Sequence, residues 1–340
     1  MKIEKVKPDK EREWNEFIIK NGPPVGSFIQ AWEWGQFYEK LGRKVERYFV
    51  VEETPIAAFT LVYQKLPFGF VYGYAPRGPI ISSPDESKYE TICNEIRNWA
   101  LKEIPELIFL RLEPPLPIEY KKLPKPFFET PSYYIQPKFN SVILLDKEEK
   151  DLLESFHPST KSNINRAERR GVTVKIKNEI TEEEFEQFKK MMGDTSKRNH
   201  GKKIYPSVGY FNSLFALLFK NSSSNNLNLV AFYGYCDGKP AATHFVLFFG
   251  KTATYLYGAS HSEFLNSKVT TLLHFEAMKE AKRAHMSYYD IGAVDEKRWR
   301  TLTQFKRQFN GREFQYIGNV DIPIRPFGYK IFNILRNIKK

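Results

Sequence analysis

A lysine beside an aromatic residue, Phe305-Lys306, is the pair in this chain with the clearest chemical use. The segment 286–312 reads as a strand, a charged loop, a short helix that carries this pair, and a second strand. Phe305 and Phe309 are four residues apart, so both should anchor one face of the helix and leave Lys306 at its edge. A preorganised cation there would stabilise a developing oxyanion; the alternative is a solvated surface lysine. Asp290, at the strand end, is expected to shape the backbone rather than to take protons.

Two further positions could bind a charged substrate. Arg111 and Glu113 alternate with leucines at the end of a predicted strand, so their side chains share one face. The Glu113 carboxylate could receive the proton of an attacking ammonium group, or it could form a local ion pair. Arg77 lies in the segment 74–79, where glycine and proline indicate a special backbone path. Its guanidinium could hold a phosphate with two hydrogen bonds, or it could bind loop carbonyls as a structural residue.

Tyrosines and clustered basic residues stand out in the second half. Tyr255 and Tyr257 alternate along a predicted strand and should therefore face the same side of a sheet. A half-exposed sheet face would also carry such residues. Four basic residues crowd the end of a helix predicted over 147–170: Lys161, Arg166, Arg169 and Arg170. The helix dipole is a sufficient reason for cations there, but the same patch could contact the phosphates of a nucleic acid.

The elements that must position these residues occur in the same order twice. Each half runs through helices, three strands, a helix and a strand. In the first half these are predicted over 9–20, 29–41, 44–53, 56–66, 69–82, 86–103 and 107–113, and in the second over 181–192, 207–220, 227–236, 240–250, 252–259, 268–284 and 286–291. A meander of antiparallel strands followed by a crossover helix and another strand favours an α+β domain with a mixed sheet, of the acyltransferase type. The second half is preceded by a strand at 139–146, the helix 147–170 and a strand at 172–177.

The two halves are joined by a segment of a different composition. Residues 114–138 are rich in proline and lysine, which predicts a linker over the surface. The last segment, 326–340, reads as a basic amphipathic helix.

The bulk composition narrows the class of protein. The 340 residues are 41% hydrophobic and 15% aromatic, which is typical of a globular chain with real cores. No window approaches a membrane span, and the N-terminus lacks a secretory signal. The cysteines, Cys93 and Cys236, are far apart, and the histidines show no spacing for a metal site, so we expect a cytoplasmic protein without a metal. The formal net charge of +12 attracts polyanions such as nucleic acid, anionic lipid or phosphorylated substrates.

Several short segments together resemble one family, the FemABX peptidyltransferases, which attach amino acids from aminoacyl-tRNA to peptidoglycan precursors. The matching segments lie in the expected order over nearly the whole chain: Phe28-x-Gln30 with Trp34, Pro76-Arg77-Gly78-Pro79, Arg111-x-Glu113-Pro114, Arg166 with Glu168 and Gly171-Val172, Tyr255-x-Tyr257-Gly258-Ala259-Ser260, Asp290-x-Gly292, and Phe305-Lys306-x-x-Phe309. Each motif alone is weak, but the ordered set is fairly specific.

The resemblance implies a fold of two tandem GNAT-like domains, the second inserted into the first. The first domain would comprise 1–138 with 318–340 and bind the precursor. The second would comprise 139–317, with the catalytic lysine and the aminoacyl-tRNA side. Some members of the family carry a long helical hairpin, for which the segment 181–221 is too short, so this chain resembles the compact members.

The resemblance also implies a reaction and its residues. Lys306 with Phe305 would stabilise the oxyanion. Glu113, Arg77, Arg198, Tyr255, Tyr257 and Gln36 would bind substrate, and Lys161, Arg166, Arg169 and Arg170 would meet tRNA. Gln36 stands near where the family often has a lysine that meets the nucleotide or pyrophosphate.

The expected donor is aminoacyl-tRNA, and no cofactor is expected. The acceptor would be the stem-peptide amino group of lipid II or of its UDP-linked precursor, with contact at the inner membrane surface. The coenzyme A loop of ordinary GNAT enzymes is missing from the sequence, which argues against an acetyl-CoA donor. The alternatives are another acyl or aminoacyl transfer on the same double fold, or a non-enzymatic binder of RNA or anionic membrane.

Overall fold

The computed structural model describes residues 1–119, 134–219 and 226–338. The chain divides into two compact units, one formed by Met1–Lys138 with Gln315–Lys340 and the other by Phe139–Phe314. The second unit is therefore an insertion in the sequence of the first. The predicted linker, 114–138, lies partly outside the described residues, at 120–133.

The elements follow one another in a regular order. Before residue 120 they are β1 (Lys2–Lys5), α1 (Glu11–Asn21), α2 (Trp32–Lys40), β2 (Val45–Val51), β3 (Pro55–Lys65), β4 (Val71–Ala75), β5 (Ile80–Ile81), α3 (Glu86–Glu103) and β6 (Leu107–Leu112). Between residues 134 and 219 they are β7 (Phe139–Leu144), α4 (Glu149–Glu154), α5 (Pro158–Arg169), β8 (Thr173–Lys177), α6 (Glu182–Arg198) and α7 (Val208–Leu218). From residue 226 they are β9 (Leu227–Cys236), β10 (Lys239–Phe249), β11 (Thr252–Ser260), α8 (Val269–Arg283), β12 (Tyr288–Ala293), α9 (Glu296–Arg307), β13 (Arg312–Gln315), β14 (Val320–Pro323) and α10 (Pro326–Ile338).

Each unit is built on one mixed sheet. The first has the order β1-β2-β3-β4-β6-β14 with β5 on β3, and the second has the order β13-β7-β12-β11-β10-β9-β8. In the first sheet β4 and β6 are parallel and α3 connects β5 to β6; in the second β11 and β12 are parallel and are joined through α8. The meander followed by a crossover helix and another strand, predicted from the sequence, is confirmed in both units, and that last strand is parallel to its neighbour.

The crossover helices cover the sheets with regularly spaced apolar residues. On α3, Tyr89, Ile92, Ile96 and Ala100 recur at the helical period and are buried against the core of the first sheet. On α8, residues between Val269 and Ala281 do the same in the second unit.

Two predicted elements are wrong in detail. The helix predicted over 147–170 is two helices, α4 and α5, separated at Ser155–His157. Pro158 begins α5 because a proline is tolerated in a first helical turn but removes a hydrogen-bond donor from a helix interior. The strand predicted over 69–82 ends at Ala75. Beyond it Arg77 takes a positive φ of 51°, and only the short β5 follows.

Helices α6 and α7 lie in the segment 181–221, which is too short for the long helical hairpin of some members of the family that the sequence resembles. They span 17 and 11 residues. Residues 220–225 lie outside the described part of the chain; within it, α6 and α7 are short packed helices on their own sheet, as the sequence predicted for a compact member.

A fully buried ion pair ties the end of the chain to the first sheet. Strand β14 pairs antiparallel with β6, and this register places Asp321 opposite Arg111. The guanidinium donates through Nε to Oδ1 at 2.7 Å and through Nη2 to Oδ2 at 2.6 Å, and neither side chain is exposed. The Tyr329 hydroxyl on α10 donates to the same carboxylate at 2.9 Å. Arg111 is thus partnered by the returning segment.

We expect Asp321→Ala to unfold the first unit readily. The variant leaves the Arg111 guanidinium buried without its counter-charge, which costs on the order of 3–5 kcal/mol. Calorimetric unfolding should show the loss. The double variant Arg111→Met/Asp321→Leu should recover most of it, because it removes both charges together. As a control, Glu16→Ala removes the exposed pair with Arg12 and should leave the transition unchanged. An unchanged transition in Asp321→Ala would contradict the role of the pair.

Candidate functional site

Lys306 is buried, although it lies on a short and strongly charged helix. Its side chain is 5% exposed, and Nζ donates to the carbonyl oxygen of Ala293 at 2.9 Å. Helix α9 is capped by the Asp295 side chain, which accepts from two backbone amides of the first turn, and it contains a non-helical residue at Trp299. Lys306 is therefore buried, and the alternative considered from the sequence, a solvated surface lysine, is wrong.

The end of β12 makes room for this ammonium group. Gly292 has a φ of 94°, which side chains rarely adopt, and a Cβ there would lie 3.0 Å from Lys306 Nζ. The Gly292 amide donates to Asp290 Oδ1 at 2.8 Å, and Asn140 Nδ2 donates to both carboxylate oxygens at 3.1 Å. Asp290 is buried and bonds the strand end, in line with the role expected from the sequence.

The charge on Lys306 is held at a cost. Burial lowers its pKa from 10.5 to about 8, while the negative charge of Asp290 acts in the opposite direction. At pH 7 roughly nine in ten molecules still carry the ammonium form. The group is thus a dehydrated cation with donors to spare for a developing oxyanion.

Phe305 belongs to an aromatic cluster that supports the helix. Its ring lies 5.5 Å from that of Phe309 and 5.7 Å from that of His274, between centroids. Phe309 is buried and contacts His274 at 5.4 Å. The two rings therefore pack together on His274, although Phe309 lies two residues past the end of α9 and not on the helix face that the spacing predicted.

His274, which packs against Phe305, and its neighbour His244 were not identified from the sequence as part of the site. His274 Nδ1 lies 2.9 Å from the Tyr289 hydroxyl, and its ring centroid lies 4.4 Å from that of His244. Burial lowers the pKa of His244 to about 3, and burial, together with His244 and Lys306, holds the pKa of His274 well below its usual value. Both are neutral at physiological pH. The signal that could have found His274 is its position on the apolar face of α8.

The two tyrosines of β11 face opposite sides of the sheet, so the predicted common face is wrong. A β-bulge shifts the register between Phe245 paired with Tyr257 and Val246 paired with Tyr255. The Tyr255 ring lies 4.8 Å from that of His244, on the α8 side. The Tyr257 ring lies 5.0 Å from that of Phe211 on α7. One extra residue in a strand reverses the alternation of side chains, and the local sequence pattern does not reveal such a bulge.

Arg198 fastens the end of α6 to the end of β11. Its guanidinium donates to the carbonyl oxygen and the hydroxyl of Ser260, each at 2.9 Å, and to Ser262 Oγ at 2.8 Å. It also donates to Thr195 Oγ1 at 2.9 Å. Its present partners are those of a structural arginine.

Two of the predicted substrate residues of the first unit, Glu113 and Arg77, lie close together. The buried Glu113 carboxylate accepts from the Tyr74 hydroxyl at 2.7 Å and from the backbone N–H groups of Gln136 and Arg77 at 3.1 and 3.4 Å. The buried Arg77 donates through Nη2 to the Pro137 carbonyl at 2.5 Å. Gln36 is half-buried on α2. The alternative left open by the sequence, a local ion pair of Glu113 with Arg111, is wrong, because Arg111 is paired with Asp321 and Glu113 accepts from Tyr74.

The basic cluster at 161–170 is mostly on the surface of the second unit. Lys161 pairs with Glu154 at 2.6 Å, and Arg170 donates to the Asn266 carbonyl at 2.7 Å. Arg166 and Arg169 are exposed in the last turn of α5. This arrangement fits the helix dipole and leaves two guanidinium groups open to solvent.

Within the three described ranges, no group of three or more His, Cys, Asp or Glu side chains is arranged to hold a metal ion. Over the same ranges no helix combines the length and the apolar character needed to cross a membrane.

A family model decides the relationship of the chain. The FemAB family model matches residues 10–133, 127–237 and 235–337. The chain belongs to the FemAB family. The resemblance found in the ordered motifs is thereby confirmed.

Two relatives of this FemAB-family protein are distant in sequence, but their alignments with it cover most of both chains. A lipid II:glycine glycyltransferase of Staphylococcus saprophyticus is 22% identical, over 93% of this chain and 92% of that protein. Another lipid II:glycine glycyltransferase, of Staphylococcus haemolyticus, is 20% identical over 80% of this chain and 81% of its own length.

Solved structures confirm the predicted fold. The crystal structure of FemX superposes with a TM-score of 0.81 at 17% identity, covering 97% of this chain and 99% of its own. A tandem GNAT protein from the clavulanic acid pathway gives a TM-score of 0.52 at 10% identity, covering 95% and 99%. The FemAB-family chain therefore has the tandem GNAT-like fold with two mixed sheets.

We expect Lys306→Met to stabilise the folded protein at pH 7. A lysine whose folded pKa is lowered to about 8 binds fewer protons folded than unfolded, so its burial destabilises the fold fully below pH 8. This destabilisation is about 3 kcal/mol. Because Lys306→Met also loses the hydrogen bond to the Ala293 carbonyl, its free energy of unfolding should rise by roughly 1–2 kcal/mol. Thermal unfolding at pH 7 measures it, with Lys297→Met on the exposed side of α9 as the control. A lower melting temperature than that of the parent would contradict the cost of burial.

Proposed function

We propose that this FemAB-family aminoacyltransferase moves an amino acid from aminoacyl-tRNA to the stem-peptide amino group of a peptidoglycan precursor, at the inner surface of the membrane. The observation that carries the proposal is the buried ammonium group of Lys306, held behind the strand end at Gly292. A dehydrated, fixed cation is what an ester undergoing attack requires, because negative charge develops on its carbonyl oxygen. The names of the relatives, which are lipid II:glycine glycyltransferases, support the choice of reaction and acceptor.

The reaction needs no covalent enzyme intermediate. The neutral amine of the acceptor attacks the ester carbonyl carbon, and a C–N bond forms as the carbonyl electrons move to oxygen. Lys306 donates a hydrogen bond to that oxyanion. The intermediate collapses, the C–O bond to the terminal ribose breaks, and the amine proton passes to the departing ribose oxygen through solvent or a nearby base. The products are an amide and deacylated tRNA.

The remaining predicted residues would either position Lys306 or bind the substrates. Phe305 sets the position of Lys306 by packing α9 on His274. Glu113 and Arg77 would contact the precursor in the first unit, as would Gln36 on α2. Tyr255, Tyr257 and Arg198 would contact substrate in the second, and Lys161, Arg166, Arg169 and Arg170 would meet the phosphates of tRNA. The two open guanidinium groups, Arg166 and Arg169, are the best placed of this set.

The direct test is transfer between defined substrates. Incubating the protein with charged tRNA and a lipid II analogue should increase the acceptor mass by one or more aminoacyl residues. Lys306→Met should lower the rate by about 10²–10³-fold, the usual cost of losing an oxyanion donor. Lys297→Met should transfer normally. Transfer from an acyl-CoA but not from charged tRNA, or full activity in Lys306→Met, would overturn the proposal.

The rate should also fall at alkaline pH. The ammonium form of Lys306 is lost as pH rises through about 8, so the turnover number at saturating acceptor should decline above that value. Lys306→Arg keeps its charge at every accessible pH, and any residual activity should therefore lack this decline. The pH profile of the turnover number measures both. A parent profile that stays flat to pH 10 would show that the Lys306 charge is not used in the rate-limiting step.

A further inference from the structure

The terminal helix α10 carries apolar side chains on two opposite faces. Toward the first sheet, Tyr329 is buried and packs with Phe109 and Ile108, and Phe332 joins the same cluster. The ring centroids of Phe109 and Phe332 are 4.8 Å apart. This face fixes the helix on the first sheet.

The opposite face is apolar and in solvent. Phe327 is 78% exposed, Ile334 60%, Leu335 50% and Ile331 43%. These residues recur at i, i+4, i+7 and i+8, so they form one stripe along the helix rather than scattered surface residues. Isolated exposed hydrophobic residues need no explanation, but an aligned group of large ones marks an interaction surface.

The charges beside the stripe favour one kind of partner. Helix α10 contains Lys330 and Arg336 and no aspartate or glutamate. Lys330 is exposed next to the stripe, and Arg325 is exposed just before the helix. A second copy of the same helix would bring these cations together without an acid to pair them. The headgroups of an anionic lipid bilayer would neutralise these cations, and the apolar interior of the bilayer would accommodate the stripe.

A neighbouring connection adds to the same surface character. The turn between β3 and β4 reaches the cluster of Phe109 and Tyr329 through Leu66. In that turn Phe70 is 39% exposed, and Lys65, the last residue of β3, is exposed as well. The connection thus presents an exposed aromatic ring and an exposed cation.

We propose that the stripe formed by Phe327, Ile331, Ile334 and Leu335 inserts into the headgroup region of an anionic lipid bilayer, with Lys330 and Arg325 at the phosphates. Helix α10 lies in the plane of the membrane surface and does not cross it, because its inner face stays on the sheet. The proposal deepens the membrane contact of the proposed function by assigning the surface that makes it. Its evidence, the exposed stripe and its charges, does not depend on the transfer reaction.

Flotation of the purified full chain with vesicles tests the proposal. The protein should float with vesicles of phosphatidylcholine mixed with phosphatidylglycerol, and much less with phosphatidylcholine alone. Phe327→Ser/Ile334→Ser/Leu335→Ser should bind the anionic vesicles at least ~10-fold more weakly, since the apolar contribution is lost. Lys330→Glu should weaken binding about tenfold at low salt, because two units of charge change at the surface.

Matched controls lie elsewhere on the chain. Leu101 and Ile176 are 42% and 37% exposed, outside the stripe, so Leu101→Ser/Ile176→Ser should bind like the parent. Lys88→Glu on α3 controls for the change in net charge. Equal binding of the triple variant and the parent, or binding indifferent to phosphatidylglycerol, would overturn the proposal. So would a dimer of the parent in sedimentation that the triple variant abolishes without any vesicle binding.

The activity assay separates this proposal from the proposed function. The triple variant should process a water-soluble acceptor at the parent rate and lose about tenfold on an acceptor embedded in anionic vesicles. If neither acceptor is processed by the parent protein, the proposed function fails, while vesicle binding still decides the role of the stripe.

Discussion

The burial of one ammonium group constrains much of the second unit. Lys306 needs a partner for Nζ, which the Ala293 carbonyl supplies, and space at the strand end, which the glycine at position 292 leaves. It also needs a compensating charge nearby, and Asp290 acts in that sense. The neutral histidine His274 lies beneath the helix and would add repulsion if it were protonated. The site is thus organised around keeping a cation charged and dry.

The first unit depends on a different buried charge pair. Its sheet is completed by β14, which returns after the whole second unit, and Arg111 with Asp321 joins the two distant segments without exposure to water. In the second unit the corresponding antiparallel neighbour of the crossover strand, β7, comes at the start of the unit. The same sheet plan is therefore closed from opposite ends of the sequence, which is how a domain can be inserted into another of its own kind.

The predicted site residues differ in what the fold makes of them. Glu113 and Arg198 were expected to face substrate, and both already have several hydrogen-bond partners within their own units. A substrate could share or replace these bonds, so their proposed roles stay predictions. Among the predicted site residues, Lys306 is the one whose burial costs free energy that its own contacts do not offset. The chemical proposal rests on it for that reason.

Sequence patterns determined the layout of this protein. Alternation in the strands, the apolar period of α3 and α8, and the order of short motifs were enough for the double mixed-sheet fold and the FemAB family, because these signals are local and repeated. Tertiary structure alone decided the rest. The bulge that turns Tyr255 away from Tyr257, the partner of Arg111 some two hundred residues away, and the burial of Lys306 depend on which strands pair and in which register. A side chain's solvent exposure and its long-range partners are properties of that pairing, and no local pattern in the chain records them.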